Sequence, residues 1–400
     1  GTIRLLGDQL QCGLPVLVRL GQGVAAAEQG AGAQRPLRVL LIGRGLGLGG
    51  MEQLLLAQVR SGDRKRIDYS VAYVNADKDA LVPEFAALDI AVHDLAGARG
   101  PWPVAIRQLL ARERFDVVHA HSPLVAAAVR LVSRTIRPRP KLVYTEHNSW
   151  HPYSVVTRWA NRLTYRMDDR QFAVSRAAWE SVPEGLRDEL EVLSHGIDVA
   201  AVGSQLRLRL DSRREMGIGP DELAVGTVAN FRPEKNYEGL LRVADRISAE
   251  NPGVRFVSIG QGPLQDEIAR QHAEQRLGDR FLLLGAQPEA TRLMAGFDVF
   301  VMASRWEGLP VAFMEARALG LPVVVTSVGG LTDHVEDGVD GLLVEPNSDD
   351  ALVAALQKVV GSADLRQRLA EGSARRSGEL DARLAVEVIE RAYADVTGQA

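Results

Sequence analysis

Two glutamates, Glu307 and Glu315, stand on either side of a Gly-Leu-Pro turn in the stretch SRWEGLPVAFMEARALG. The apolar run FDVFVMAS ends just before them, and Pro310 suits a first helical turn. Glu307 is therefore placed in a strand-to-helix loop and Glu315 in the helix that follows. A carboxylate in such a loop can accept hydrogen bonds from sugar hydroxyls. The backbone N–H groups of Gly308, Leu309 and Val311 at the helix start suit an anion. A pair of glutamates at this spacing also arises as plain solvated charges, and the turn between them is what argues for a shared ligand.

A second stretch, AVGTVANFRPEKNYEGLLRVA, reads as a strand, a short polar loop and a helix, with Arg232 and Lys235 in the loop. The chain supplies its positive charge almost wholly as arginine; lysine occurs only at Lys65, Lys78, Lys141, Lys235 and Lys358. A lysine here is a compact point charge suited to a phosphate. The competing reading pairs it with Glu234 or Glu238 in a polar turn.

In FDVVHAHSPL, period-two alternation puts His119 and His121 on one strand face, with Pro123 ending the strand and His121 at its mouth, facing a cleft. His119 reads as a satisfied core histidine, whereas His121 stays open between structure and function. A metal role for the pair lacks a cysteine or carboxylate at ligand spacing. Asp77 and Asp79 form a three-residue DxD, better read as a solvated loop.

The fourth stretch, RVLLIGRGLGLGGMEQLLLAQV, fits G-x-G-x-x-G at Gly45, Gly47 and Gly50 between a strand and a helix, the context of a dinucleotide fingerprint. That reading also needs an acidic residue about 20 positions on, at the next strand's end. Asp63 falls before that strand, YSVAYV, and Asp77 lies too far along.

The elements that must position these residues follow from the hydrophobic pattern. RVLLIG, YSVAYV, IAVHDL, FDVVHA, KLVYTE and QFAVS read as buried parallel strands separated by helices near 50–60, 79–88, 101–113, 123–136 and 155–168. After a polar stretch the alternation restarts with ELAVGTVAN, VRFVSIG, RFLLLG, FDVFVMAS, LPVVVT and GLLV. Two successive doubly wound, Rossmann-like α/β units result, and ligands gather at the carboxyl ends of such strands. The predicted organisation is a loosely ordered leader over 1–35, an N-terminal domain over 36–200, a linker region over 201–220, a C-terminal domain over 221–380, and a C-terminal helix over 381–400 that packs back on the first domain.

At 400 residues, two domains are the default. Composition is that of an ordinary soluble protein, 46% apolar and 24% charged with a net charge of -4, and nothing global points to nucleic acid. The lone Cys12 excludes an internal disulfide and a cysteine-based zinc site, and suits a reducing cytoplasm. No apolar run approaches the roughly 18 residues of a membrane span.

EGLPVAFMEARALGLPVVVTSVGG, with NFRPEKN, GGMEQ, HAHSP and HGID, resembles glycosyltransferase family 4, the retaining nucleotide-sugar transferases of GT-B fold, over about 38–395. The resemblance implies that Glu307 contacts the donor sugar and Glu315 the ribose, and that Lys235, with Arg232 as a substitute cation, holds the diphosphate without a metal ion or other cofactor. It further implies donor contacts from Gly49, Gly50, Asn230, Gly308, Leu309, Pro310 and Val311. Catalytic roles fall to Glu307, His121 and Lys235, and the acceptor side to Glu52 and His147. The chain departs from the family at Asn230, where many members have arginine; at His195, where asparagine is usual; and at Asp333, where glutamate is usual. The glycine loop then carries the family's G-G-x-E as Gly49, Gly50, Met51 and Glu52. The LGAQP stretch at 284–288 is placed near the nucleotide base.

Expected partners are a nucleotide-sugar donor and a carbohydrate or lipid-linked acceptor in bacterial surface polysaccharide or glycolipid assembly, at the inner face of the cytoplasmic membrane. A non-catalytic sugar-nucleotide-binding protein and an NAD(P)-dependent oxidoreductase are the alternatives. Arg158, Arg162, Arg166 and Arg170 recur every four residues in TRWANRLTYRMDDR, with Arg130, Arg134, Arg137 and Arg139 nearby in sequence. They read either as an anionic-lipid face or as a solvated face paired with Asp168 and Asp169.

Overall fold

The computed structural model describes residues 35–98, 100–151 and 153–399, so the leader expected over 1–35 lies outside the described residues but for Arg35. A seven-stranded sheet is built from β1 (Leu37–Gly43), β2 (Ile67–Tyr73), β3 (Ala91–Asp94), β4 (Val117–Ala120), β5 (Lys141–Glu146), β6 (Arg170–Ala173) and β7 (Leu190–Val192). Its order is β3-β2-β1-β4-β5-β6-β7, all parallel. A six-stranded sheet follows from β8 (Leu223–Val228), β9 (Val254–Ile259), β10 (Phe281–Leu283), β11 (Val299–Met302), β12 (Val323–Thr326) and β13 (Gly341–Val344). Its order is β10-β9-β8-β11-β12-β13, again all parallel.

Unbroken apolar runs make these strands because both faces of each sheet are covered by helices. In β1, Leu40 and Ile42 enter the core on one face while Val39 and Leu41 enter the core on the other. In β11 the same division separates Val299 and Val301 from Phe300 and Met302. The strand order reverses between β1 and β4 in the first sheet and between β8 and β11 in the second. Those are the topological switch points at which crevices open beyond the carboxyl ends of the strands.

Helix Ala382–Thr397 returns to the first sheet, where Ile389, Ala392 and Tyr393 join the core beside Leu55 and Val143. The polar stretch 201–220 is not an open linker. It carries the short helix Arg209–Glu215, whose Arg209 and Arg213 both bind Asp298 at the foot of β11.

The arginine row is also corrected. Helix Val155–Thr164 ends before Arg166, and Arg170 is the first residue of β6, paired with Glu191. Arg130 is buried, gripping Asp168 through Nε and Nη2 and bonding Asn161 and Thr164 through Nη1. Asp168 is thereby taken by Arg130, and Asp169 by Arg139 and Lys141. Arg158 and Arg162 remain exposed, without an ion pair among the described residues.

Candidate active site

The loops after β8 and β11 meet over the second switch point. Glu307 accepts from Lys235 Nζ at 2.5 Å and from Ser304 Oγ at 2.6 Å, both on Oε1. Lys235 closes the single helical turn Pro233–Lys235, and Arg305 N–H donates to the Glu234 carbonyl at 2.7 Å, so the two loops hold each other. Lys235 pairs with neither of the neighbouring glutamates that the polar-turn reading proposed. Gly330 N–H donates to the Gly308 carbonyl at 2.6 Å from a third loop, after β12. Gly329, at φ +55°, lies so close that a Cβ there would stand 2.1 Å from the Glu307 carbonyl oxygen. The backbone around Glu307 is therefore fixed from two sides.

Helix Val311–Ala318 begins one residue after Pro310, which occupies the N-cap position rather than the first turn. Glu315 is half-buried on this helix and accepts from Thr291 Oγ1 at 2.7 Å. Burial pushes its carboxyl up to about 7, the hydroxyl offsetting part of the effect. Asn230 and Arg232 are exposed on the loop after β8, and the nearest carboxylate oxygen to Arg232 is that of Glu234 at 3.9 Å.

Across the cleft, the glycine loop after β1 shows what its glycines are for. A Cβ on Gly45 would stand 2.5 Å from Cβ of Lys78, and one on Gly49 would stand 2.4 Å from a Glu52 carboxylate oxygen. One on Gly50 would touch Val311 of the other domain at 3.4 Å. Leu46 N–H donates to the Lys78 carbonyl at 2.6 Å, so the stem of Lys78 lies where a dinucleotide fingerprint would keep open space. The loop instead brings helix Gly50–Ser61 against the start of the 311–318 helix. Glu52 is buried there, and burial raises its carboxyl above the usual range, its own backbone N–H and the charges of Lys78 and Arg232 opposing.

Four imidazoles run in a row toward the cleft. His119 bonds Tyr393 Oη at 2.6 Å through Nδ1 and Thr145 Oγ1 at 2.8 Å through Nε2. Its ring centre lies 4.0 Å from that of His121, which confirms one shared strand face. His121 Nδ1 meets His147 Nε2 at 3.0 Å, and the His147 ring centre is 5.2 Å from that of His195. Burial holds all four rings below the usual imidazole range, His195 at about 4. The row is therefore neutral at pH 7, each ring able to donate from one nitrogen and accept on the other.

The sequence reading put His121 at the mouth of the cleft. The structure buries it between His119 and His147, with Nε2 lacking a hydrogen-bond partner among the described residues. His147 is the half-buried member, and its carbonyl lies where a Cβ on Gly308 would come within 2.4 Å. The reason is strand stagger: Ala120 pairs with Tyr144, but β4 stops there while β5 runs on through Thr145 to Glu146. His147 thus follows a strand end roughly 6–7 Å further along, at about 3.3 Å per residue.

The two domains also join at the departures His195 and Asp333. Asp333 Oδ2 accepts from Arg176 N–H at 3.1 Å. Beside His195, Gly196 has no room for a Cβ, which would stand 2.4 Å from the Leu380 carbonyl oxygen. Ile197 donates to that carbonyl at 2.9 Å and accepts from Ala382 N–H at 2.8 Å, so the two chain crossings between the domains are hydrogen-bonded side by side. Asp77 and Asp79 are on the loop after β2, and among the described residues no three His, Cys, Asp or Glu side chains converge as a metal site requires.

Residues 48–201 match the family described as Glycosyltransferase Family 4, and residues 209–376 match Glycosyl transferases group 1. The chain belongs to the family 4 glycosyltransferases. A UDP-Gal:alpha-D-GlcNAc-diphosphoundecaprenol alpha-1,3-galactosyltransferase of Escherichia coli is 26% identical over 64% of this chain and 69% of its own. A lipopolysaccharide core biosynthesis mannosyltransferase, LpsB of Rhizobium meliloti, is 27% identical over 70% of this chain and 78% of its own. The Anabaena HepE structure in complex with UDP-glucose superposes with a TM-score of 0.78 at 20% identity, covering 91% of this chain and all of that one. The two sheets and their facing loops are the GT-B fold of this glycosyltransferase.

Proposed function

We propose that this glycosyltransferase moves a sugar from a UDP-sugar to a lipid-linked hydroxyl acceptor, with retention of anomeric configuration and without a metal ion. The observation that carries the reading is the contact of Lys235 with Glu307 at the start of the 311–318 helix. There a cation, a hydroxyl-binding carboxylate and a helix N-terminus meet, the set needed to hold a sugar beside its diphosphate. The leaving diphosphate gathers charge in the transition state, and Lys235, Arg232 and the helix start supply fixed donors for it. Retention is supported by the family and by Glu307 itself, whose Oε1 already accepts from an ammonium and a hydroxyl, a poor arrangement for the general base of an inverting attack. Uridine is supported by HepE, and a lipid-linked acceptor by the E. coli relative's diphosphoundecaprenol substrate.

A thermal-shift panel of UDP, GDP, ADP, CDP and NADH tests the donor. Stabilisation by UDP above the others is the expected result, and stabilisation by NADH alone would overturn the reading. NMR of the glycoside then reports whether its anomeric configuration matches the donor's.

Glu315 gives a pH dependence. Its carboxyl, near 7 when the site is free, would accept from ribose hydroxyls as the carboxylate, so binding selects the ionised form. The affinity for UDP-glucose, whose diphosphate does not titrate in this range, should rise with pH through 7 and level off above about 8. Glu315→Gln should flatten that profile; isothermal titration between pH 6 and 8.5 with no slope in the wild type would refute the ribose role.

Contact with an anionic membrane is part of the proposal, and its support is helix Val155–Thr164, which is packed inside out. Its inward residues Asn161 and Thr164 bond Arg130, while Val155, Val156, Trp159 and Leu163 point to solvent, Leu163 at 76% exposure. Removing each such side chain from water is worth about 1.5–3 kcal/mol. Arg158 and Arg162 flank the stripe, the latter over the Trp159 ring at 6.0 Å. No helix among the described residues is long and apolar enough to cross a membrane, so the contact would be peripheral, at the inner face of the cytoplasmic membrane. Liposomes containing phosphatidylglycerol should float the protein and neutral ones should not. The double variant Trp159→Glu and Leu163→Glu should stay at the bottom, and equal recovery in both liposome types would sink the idea.

A further inference from the structure

Glu146 ends β5 immediately before His147 and is fully buried, with no cation against it among the described residues. Three neutral side-chain donors converge on its carboxylate: Tyr144 Oη at 2.9 Å and Trp150 Nε1 at 2.7 Å on Oε2, and Tyr153 Oη at 2.6 Å on Oε1. Burying a carboxylate without a counter-charge is costly, and each of these bonds offsets part of that cost. Two of the three donors, Trp150 and Tyr153, lie beyond His147 in the chain. Trp150 and Tyr153 are thereby tied back to the strand end, and Tyr153 directly precedes Ser154, the N-cap of the 155–164 helix.

The partners of Glu146 are themselves braced. Trp150 N–H donates to Ser181 Oγ at 3.1 Å, and the Trp150 ring meets Tyr165 edge-on. The Arg130 guanidinium, locked to Asp168 and Asn161, lies 4.8 Å from the Tyr144 ring centre. Among the described residues His147 itself makes one side-chain hydrogen bond, to His121. We infer that Glu146 is a positioning residue of the transferase, fixing where His147 presents its imidazole in the cleft by holding Trp150 and Tyr153 against the strand end. The inference rests on the transferase reading above. It concerns geometry, not charge. A glutamine can accept from Tyr144 and Trp150 on its carbonyl oxygen and donate to the Tyr153 oxygen, which turns to accept; alanine can do none of this.

The test compares wild type, Glu146→Ala, Glu146→Gln, Tyr153→Phe, His147→Ala and the double variant Glu146→Ala with His147→Ala. Two quantities are read: UDP affinity by calorimetry, and UDP release from UDP-glucose, UDP-galactose and UDP-N-acetylglucosamine. UDP affinity should stay within about twofold throughout. Turnover should fall about 10- to 100-fold in Glu146→Ala, the scale of a small misplacement of a reacting group. Glu146→Gln should keep turnover within about threefold, and the double variant should be no slower than His147→Ala alone, because both changes remove one function. Should Glu146→Ala fail to fold, Tyr153→Phe, which deletes a single oxygen, carries the same pattern with a smaller loss. Unchanged turnover in Tyr153→Phe, a loss in Glu146→Gln as large as in Glu146→Ala, or additive losses in the double variant would each overturn the positioning role. A wild type that neither binds UDP nor releases it would overturn the transferase reading, a different failure visible before any variant is made.

Discussion

Lys235→Ala is expected to lower kcat/KM about 10²- to 10³-fold and to abolish most of the thermal stabilisation given by UDP. The magnitude follows from what the ammonium does in two states. In the free protein it sits 2.5 Å from Glu307, with little of either side chain exposed. With donor bound, the same ammonium would face the diphosphate, whose charge grows as the glycosidic bond breaks. A fixed donor that strengthens toward the transition state contributes about 3–4 kcal/mol when it is aimed correctly. Removing it also leaves Glu307 with Ser304 as its remaining hydrogen-bond partner, so the orientation of the carboxylate loosens as well. Glu307→Gln separates the two effects, because the amide oxygen still accepts from Lys235 while the negative charge is gone. That variant should retain the UDP-induced shift and lose turnover. If Lys235→Ala binds UDP as well as the wild type and turns over within about threefold of it, the lysine serves only to anchor Glu307.

Much of this site could be read from residue order because the fold places loops by rule. Apolar runs such as RVLLIG and FDVFVMAS can only be doubly buried strands, and the residues just after them fall at the switch points. Lys235 and Glu307 were legible on that ground. What escaped depended on distances between segments that sequence does not order. β7 is only Leu190–Val192, with Glu191 turned to Arg170, too short to show a period. His121 lies buried instead of at the mouth of the cleft because alternation gives a side chain's face but not the stagger of neighbouring strands. Arg130 was counted with a surface row because its partner, Asp168, lies 38 positions away; losing one side of such a buried pair typically costs about 3–5 kcal/mol. The glycines of the first loop matched a dinucleotide pattern because a required absence of Cβ looks the same whether the neighbour is a pyrophosphate, Lys78 or Val311.

Gly308→Ala is expected to reduce turnover about 100-fold while leaving UDP affinity within about threefold, whereas Lys235→Ala should lose both. The effect is steric alone, since the backbone at Gly308 is not left-handed and an alanine there meets no conformational penalty. The added methyl would stand 2.4 Å from the His147 carbonyl oxygen, closer than any such contact can be. Something must yield. On its own side, Gly308 is held by Gly330 and by the tight approach of Gly329 to Glu307, so the loop cannot sink into its domain. On the other side, His147 follows a strand end pinned by Val174 N–H on the Glu146 carbonyl at 3.1 Å. The softest coordinate left is the separation of the two domains. A wedge at Gly308 would leave each half-site formed and keep them from closing, so nucleotide binds to the loops after β8 and β11 but water is not excluded from the transferred sugar. Donor hydrolysis should therefore fall less than transfer to acceptor, and the thermal midpoint should move by no more than a few degrees. Equal losses in hydrolysis and transfer would place the damage within one domain instead of between the two.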